Sequence, residues 1–144
     1  MASAAGGRSW VFISYASQDG GTHATRLDGE LRGQDVATWL EARDMDESFD
    51  FTAQLELAIE AATAVVACIT PDVRRRDSYV RREIAYAQAC GKRIAVARFA
   101  AIRPPISVVT NTYFEFYRDW TPAFGRLLTF CRAVDVALST QLGG

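Results

Sequence analysis

Ala64 to Thr70 reads AVVACIT, an unbroken apolar run halted by Pro71. A strand that is apolar at every position has no solvent face, so this segment is expected at the centre of a parallel sheet covered on both sides. Helical periodicity flanks it. Upstream, Phe51, Leu55, Ala58, Ile59 and Ala62 fall at helical intervals. Downstream, a basic loop from Asp72 to Asp77 carries Arg74, Arg75 and Arg76, and a helix begins near Ser78, with Val80, Ile84 and Ala87 on its core stripe, and ends before Gly91. Arg93 to Phe99 (RIAVARF) is then a fourth strand.

The same alternation extends to both ends. Trp10 to Tyr15 (WVFISY) reads as a buried strand, and Ala24, Leu27 and Leu31 mark a helix from Thr22 that Gly33 terminates. Val36 to Leu40 (VATWL) is a second strand, followed by an acidic loop from Glu41 to Asp50 without apolar period. Ile102 to Asn111 holds two consecutive prolines and is irregular. Thr112 to Phe116 supplies a fifth strand, and Thr121-Pro122 opens a last helix bearing Phe124, Leu127, Leu128 and Cys131. Strands alternating with helices imply βαβ units, hence a doubly wound α/β sandwich; five parallel strands in this length fit the flavodoxin-like order. In that order ligands bind beyond the carboxyl ends of the strands, so the loops after the first three strands are the places to search.

Composition narrows the function classes. The 144 residues, 49% hydrophobic, suffice for one core. We expect a domain over residues 9–138 between a flexible amino tail, residues 1–8, and a carboxyl tail, residues 139–144. The abrupt carboxyl end suits a domain cut from a longer polypeptide. Sixteen basic and seventeen acidic side chains leave a net charge of −1, which gives no bulk reason to bind nucleic acid or an anionic membrane. Cys68, Cys90 and Cys131 are distant and set in apolar stretches, and read as buried thiols in a reducing compartment. No signal peptide or membrane-length apolar run is present, so a cytoplasmic location is expected.

Standard motifs are missing where other chemistries would need them. Gly20-Gly21 lacks the lysine and further glycines of a phosphate loop. No C-x-x-C pair or nucleophile elbow occurs, and the single histidine, His23, sits in the polar start of a helix where a solvated role is expected. Neither a metal nor a bound cofactor is therefore expected. A receiver domain would need paired acids after the first strand and an acceptor aspartate after the third, where this chain has Tyr15-Ala16-Ser17 and Thr70-Pro71.

Phe12-Ile13-Ser14-Tyr15-Ala16-Ser17-Gln18-Asp19 resembles the opening signature of TIR domains of the bacterial type. Trp39 to Met45 (WLEARDM) is similar to the family's second strand and the start of its BB loop. Ala58 to Ala62 with Val65 to Pro71 resembles its second helix and third strand. Asp77 to Ala87 (DSYVRREIAYA), followed by Gly91-Lys92-Arg93-Ile94, is similar to the helix bearing the family's glutamate. The resemblance covers roughly residues 10 to 130. It departs at Ser48, where a BB-loop glycine is common, and at Tyr79, where tryptophan is usual.

The resemblance implies an NAD⁺ nucleohydrolase whose substrate is NAD⁺ and whose catalytic residue is Glu83, with Tyr79 one turn earlier on the same helix face. Nicotinamide is already cationic and leaves without a proton, so one carboxylate facing the developing oxocarbenium ion suffices. By the same resemblance Tyr15, Ser17, Asp44 and Met45 line the nucleotide pocket, and Arg81 or Arg82 meets the pyrophosphate. Plain ADP-ribose and a cyclised isomer both remain open as products. Without the resemblance, Glu83 reads as a surface carboxylate paired with Arg82, Tyr79 and Tyr86 suit core packing, and Trp10, Trp39 and Trp120 pack core or edge. The alternative within the family is a non-catalytic adaptor that associates with other TIR domains, for which Glu83 would have no use. A deoxyribosyltransferase-like enzyme would leave the Phe12 to Asp19 match unexplained. Self-association, and a fused or associated sensor domain in bacterial defence, are the partners that the resemblance implies.

Overall fold

The computed structural model describes residues 9–104 and 111–143. Five strands, β1 (Trp10–Ser14), β2 (Thr38–Leu40), β3 (Ala62–Ile69), β4 (Arg93–Arg98) and β5 (Thr112–Glu115), form one parallel sheet in the order β2-β1-β3-β4-β5. This is the flavodoxin-like order expected from the alternation of strands and helices. Between and after the strands lie α1 (Gly21–Gly33), α2 (Glu41–Asp44), α3 (Phe51–Glu60), α4 (Tyr79–Ala89) and α5 (Trp120–Gly143), with a short 3₁₀ turn at Pro71–Arg74. The helix α5 runs through most of the expected carboxyl tail; the expected amino tail, and most of the proline-bearing segment before β5, lie outside the described residues.

The two-residue period of the strands divides the core into two layers. On one face Phe12, Trp39, Val65, Ala67, Ile69, Ile94 and Val96 pack with Leu55 and Ile59 of α3 and Val80, Ile84 and Ala87 of α4. On the other, Val11, Ile13, Leu40, Val66, Cys68, Ala95 and Ala97 meet Ala24, Leu27 and Leu31 of α1 and Ala123, Leu127 and Cys131 of α5. Val65, Val66, Ala67, Cys68 and Ile69 are all at 0% exposure, which is why AVVACIT has no polar position.

Several sequence expectations shift by a few residues, each for a local reason. Ala62 belongs to β3 rather than to the preceding helix, because Ala61 caps α3 and a register shift at Trp10/Val11 lets Trp10 pair with Ala62. Only Thr38 to Leu40 of the second apolar run is in ladder register with β1, with Ala37 adding a single carbonyl bond to the Val11 N–H, so that strand is shorter than expected. The Glu41 to Asp50 segment is not all loop: its first four residues wind into α2, whose single turn is too short to show a period. Cys90 is exposed, unlike Cys68 and Cys131, because it caps α4 on the solvent side. There Gly91, at φ 71°, takes the left-handed turn that brings the Lys92 N–H to the Ala87 carbonyl at 2.9 Å. His23 is half-buried and stacks on Phe99 with ring centroids 4.7 Å apart.

A polar clasp fixes where the acidic loop departs. Asp28 of α1, only 6% exposed, accepts hydrogen bonds from Thr38 Oγ1 at 2.5 Å and Arg43 at 2.7 Å. The Arg43 guanidinium also reaches the Thr38 carbonyl at 2.9 Å and the Asp44 carboxylate at 2.7 Å, while Asp44 accepts the Leu40 N–H at 2.9 Å. One arginine thus ties α1, β2 and α2 together. Replacing it leaves a buried carboxylate short of donors, a change that costs about 1–3 kcal/mol, with partial solvent exposure of Arg43 favouring the lower end. Arg43→Met should lower the urea midpoint accordingly at unchanged slope; a midpoint equal to that of wild type would show that the clasp adds nothing to the fold.

Candidate functional site

The chain leaves β1 toward β2 on one side and returns through β3 on the other, so the loops at their carboxyl ends diverge and open a crevice. Glu83 lies on the second turn of α4, at this end of the sheet, and is 6% exposed. Ser14, the last residue of β1, donates its hydroxyl to Glu83 Oε1 at 2.6 Å. Glu83 is therefore neither at the surface nor paired with Arg82, in contrast to its reading without the family resemblance.

Burial dominates its electrostatics. Removal from water penalises the carboxylate, the Ser14 hydrogen bond opposes that, and the nearby charge of Glu41 adds to it, so that the Glu83 carboxyl is pushed up to about 8. The carboxyl is neutral over most of the physiological range, where an exposed glutamate would be charged.

Glu83 opens on a cleft of about 230 Å³ whose apolar wall is Leu55 and Ile59 of α3, with Thr52 and Glu56 beside them, and whose other sides are Tyr79, Arg82 and Tyr86 of α4. Tyr79 is 51% exposed, meets Phe51 edge-on at 5.6 Å and lies under the Arg82 guanidinium at 5.4 Å. An apolar wall, an accessible ring, one cation and one buried carboxyl can together hold an aromatic, partly anionic ligand. Tyr86 turns away to bond Glu60. Arg81 reaches back to the Val73 and Arg74 carbonyls at 3.4 and 3.5 Å, so Arg82 is the arginine that faces the cleft.

The other residues expected at the site are distributed more widely. Tyr15 is half-buried after β1, with its hydroxyl raised first by burial and then by the charges of Glu41 and Glu83, a backbone bond from Ala42 opposing. Asp44 and Met45 line a separate, open hollow of about 990 Å³ formed by Glu41 to Phe51. There the Asp44 carboxylate is engaged by Leu40 and Arg43, and Met45 packs onto the core. Ser17 is exposed in the turn after β1 and lines neither hollow. Sequence reasoning missed Ser14 and Glu41. Ser14 stands two residues after Phe12 and so shares its face, and Glu41 is the first charged residue after β2; both signals were present but carry no chemistry until α4 is packed against them.

Among the described residues no group of three or more His, Cys, Asp or Glu is placed to hold a metal ion, and no helix is long and apolar enough to cross a membrane.

The family model for the TIR domain matches residues 11–128. This chain belongs to the TIR domain family. Solved structures agree on the fold. The TIR domain of the Toll-related receptor TRR-2 from Hydra magnipapillata superposes with a TM-score of 0.71 at 20% identity, over 87% of this chain and 97% of that one. A TIR-STING receptor from C. gigas gives 0.63 at 15% identity, over 80% of this chain and 38% of that one. The TIR domains of the activated Roq1 resistosome give 0.60 at 12% identity, over 86% and 83%. No curated protein sequence matches.

The raised Glu83 carboxyl gives this TIR domain a pH signature. A group that holds its proton more tightly when folded stabilises the fold fully below its unfolded value, and that contribution is lost as pH rises through the folded one. For Glu83 the window runs from the ordinary glutamate value of 4.5 to about 8. Glu83→Gln has no proton to lose. Its melting temperature relative to wild type should therefore climb from about pH 5 and level off above about pH 8; a constant offset across that range would show that Glu83 titrates as a surface carboxylate.

Proposed function

We propose that this TIR domain cleaves the nicotinamide–ribose bond of NAD⁺, with Glu83 as the catalytic residue. The observation that carries the reading is the buried Glu83 carboxyl, held by Ser14 at the mouth of a cleft with an accessible ring. Burying a carboxyl group is costly, and an assembly scaffold gains nothing from it. A cationic substrate repays the cost. The positive nicotinamide–ribose unit beside Glu83 draws the carboxyl to its charged form, and the carboxylate then faces the positive charge that grows on the ribose as the bond breaks. The Tyr79 ring can stack on the substrate, and Arg82 is placed to meet a phosphate. Tyr15, Ser17, Asp44 and Met45 are assigned, by the family resemblance, to the outer parts of the pocket. Water capture of the ribosyl cation gives ADP-ribose, and capture by an adenine nitrogen gives a cyclic isomer. Neither metal nor cofactor takes part in this scheme.

Replacing Glu83 with glutamine keeps the size and the acceptor for Ser14 but removes the charge opposite the transition state. Nicotinamide release from NAD⁺ should fall on the order of a hundredfold to a thousandfold while the protein still melts cooperatively. Release at the wild-type rate would refute the assignment.

Assembly favours a second, compatible role. Phe49 in the acidic loop is 67% exposed and Leu57 on the following helix 65%, a placement that suits contacts with further TIR domains in a bacterial defence protein carrying its own sensor. Charge reversal at Asp46 and Glu47 should reduce sedimentation-detected self-association and the concentration dependence of turnover together. Specific activity independent of concentration, in wild type and mutant alike, would remove the link between assembly and activity.

A further inference from the structure

The last register pair between β1 and β2 is Ile13 with Leu40, so the next residues, Ser14 and Glu41, emerge side by side at the carboxyl edge of the sheet. The stacked rings of Phe12 and Trp39, 5.1 Å apart, mark the face that Ser14 continues two residues on, and Ser14 bonds Glu83 on that face. The Arg43 clasp one turn later fixes the start of α2 and hence the position of Glu41. We infer that Glu41 is a second carboxyl group of the site, set beside Ser14 so that its negative charge helps keep the proton on Glu83 until a cation enters the cleft.

The electrostatics around Glu83 agree with this placement. Burial raises the Glu41 carboxyl, and the Glu41 charge in turn raises both Glu83 and Tyr15. Other groups packed around Glu83 do not cancel that charge. From β1 come the Ser14 hydroxyl and the Tyr15 phenol; from α3, Glu56; and from α4, Tyr79, Tyr86 and Arg82, whose guanidinium lies over the Tyr79 ring. A negative charge at Glu41 opposes ionisation of the buried Glu83 carboxyl, so the proton stays on Glu83. Entry of a cationic ligand compensates for the second negative charge and releases that proton, which makes the pair selective for positively charged rings. Glu41 acts on the reaction through Glu83, as a positioning residue for its proton. This bearing on catalysis rests on the NAD⁺ reading above; the titration itself does not.

Carboxyl-carbon NMR of the full chain labelled at glutamate separates the two. In Glu41→Gln the titration midpoint of Glu83 should fall by about one pH unit, and Glu41→Asp, which restores the charge, should bring it back. In turnover, the rising limb of nicotinamide release against pH should move to lower pH in Glu41→Gln, whereas a merely structural residue would lower the rate alike at every pH. A Glu83 midpoint unmoved in Glu41→Gln overturns the pair. Coupled midpoints in a chain that releases no nicotinamide would leave the pair standing and remove the enzymatic reading.

Discussion

Parallel pairing forces each strand to be re-entered from the same end, and the chain meets that constraint by winding β1 to β2 in one direction and β3 to β5 in the other. The crevice at Ser14 and Glu83 is a consequence of this reversal and not of any feature of α4 alone. Two adjacent strands whose following loops turn apart leave a crevice at their carboxyl ends. The same reversal places β1 and β3 at the centre. Their side chains are accordingly apolar on both faces, and Ser14, at 1% exposure, is a polar exception at the point where the helical cover gives way to the crevice.

That exception is where two opposing energies meet. The packing that excludes water from Val80 and Ile84 also excludes it from Glu83, since all three lie on the buried side of one helix. Desolvation disfavours the carboxylate more than the Ser14 hydroxyl favours it, so the balance falls to the neutral acid. Glu83 illustrates the difference between a group that is stable and one that is poised. A surface ion pair would hold the charge permanently, at little gain and with no response to a ligand. A buried acid beside a hydroxyl holds its charge only when something positive arrives.

How much of this was legible beforehand depended on the length over which each signal repeats. Val65 to Ile69 repeats burial without interruption, and Leu27, Leu31, Val80, Ile84 and Ala87 repeat it at helical spacing, so sheet, helices and winding could all be read from the chain. The turn Glu41 to Asp44 could not, because four residues contain no period, and neither could the exact start of β3, which a register shift decides. Glu83 and Tyr79 were legible as a pair four residues apart on one helix. The burial of Glu83 was not, because it depends on β1 and α3, far away in the chain. For the same reason Ser14 and Glu41 carried no visible chemistry, and Arg81 and Arg82, adjacent in sequence, could not be told apart until the helix was packed.

The acidic loop divides into a fixed root and a free tip, and that division bears on how contacts at the tip could reach the site. At the root, Asp28, Thr38, Arg43 and Asp44 use nearly all of their polar atoms on one another, and Leu40 hands its N–H to the same network. Beyond Met45 the bonds are local and exposed: Asp46 accepts from Ser48, Asp50 caps α3 through the Ala53 N–H, and the Phe49 ring faces solvent. Such segments open at low cost, whereas the root opens only with the sheet edge itself. A partner gripping Phe49 or the acidic tip therefore reshapes the outer hollow without displacing Glu41 from Ser14. The tip and the crevice meet at Phe51, which begins α3 and contacts the Tyr79 ring edge-on. The tip of the acidic loop thus adjoins the Glu83 cleft through an aromatic contact, while its root is held by the Asp28 and Arg43 clasp.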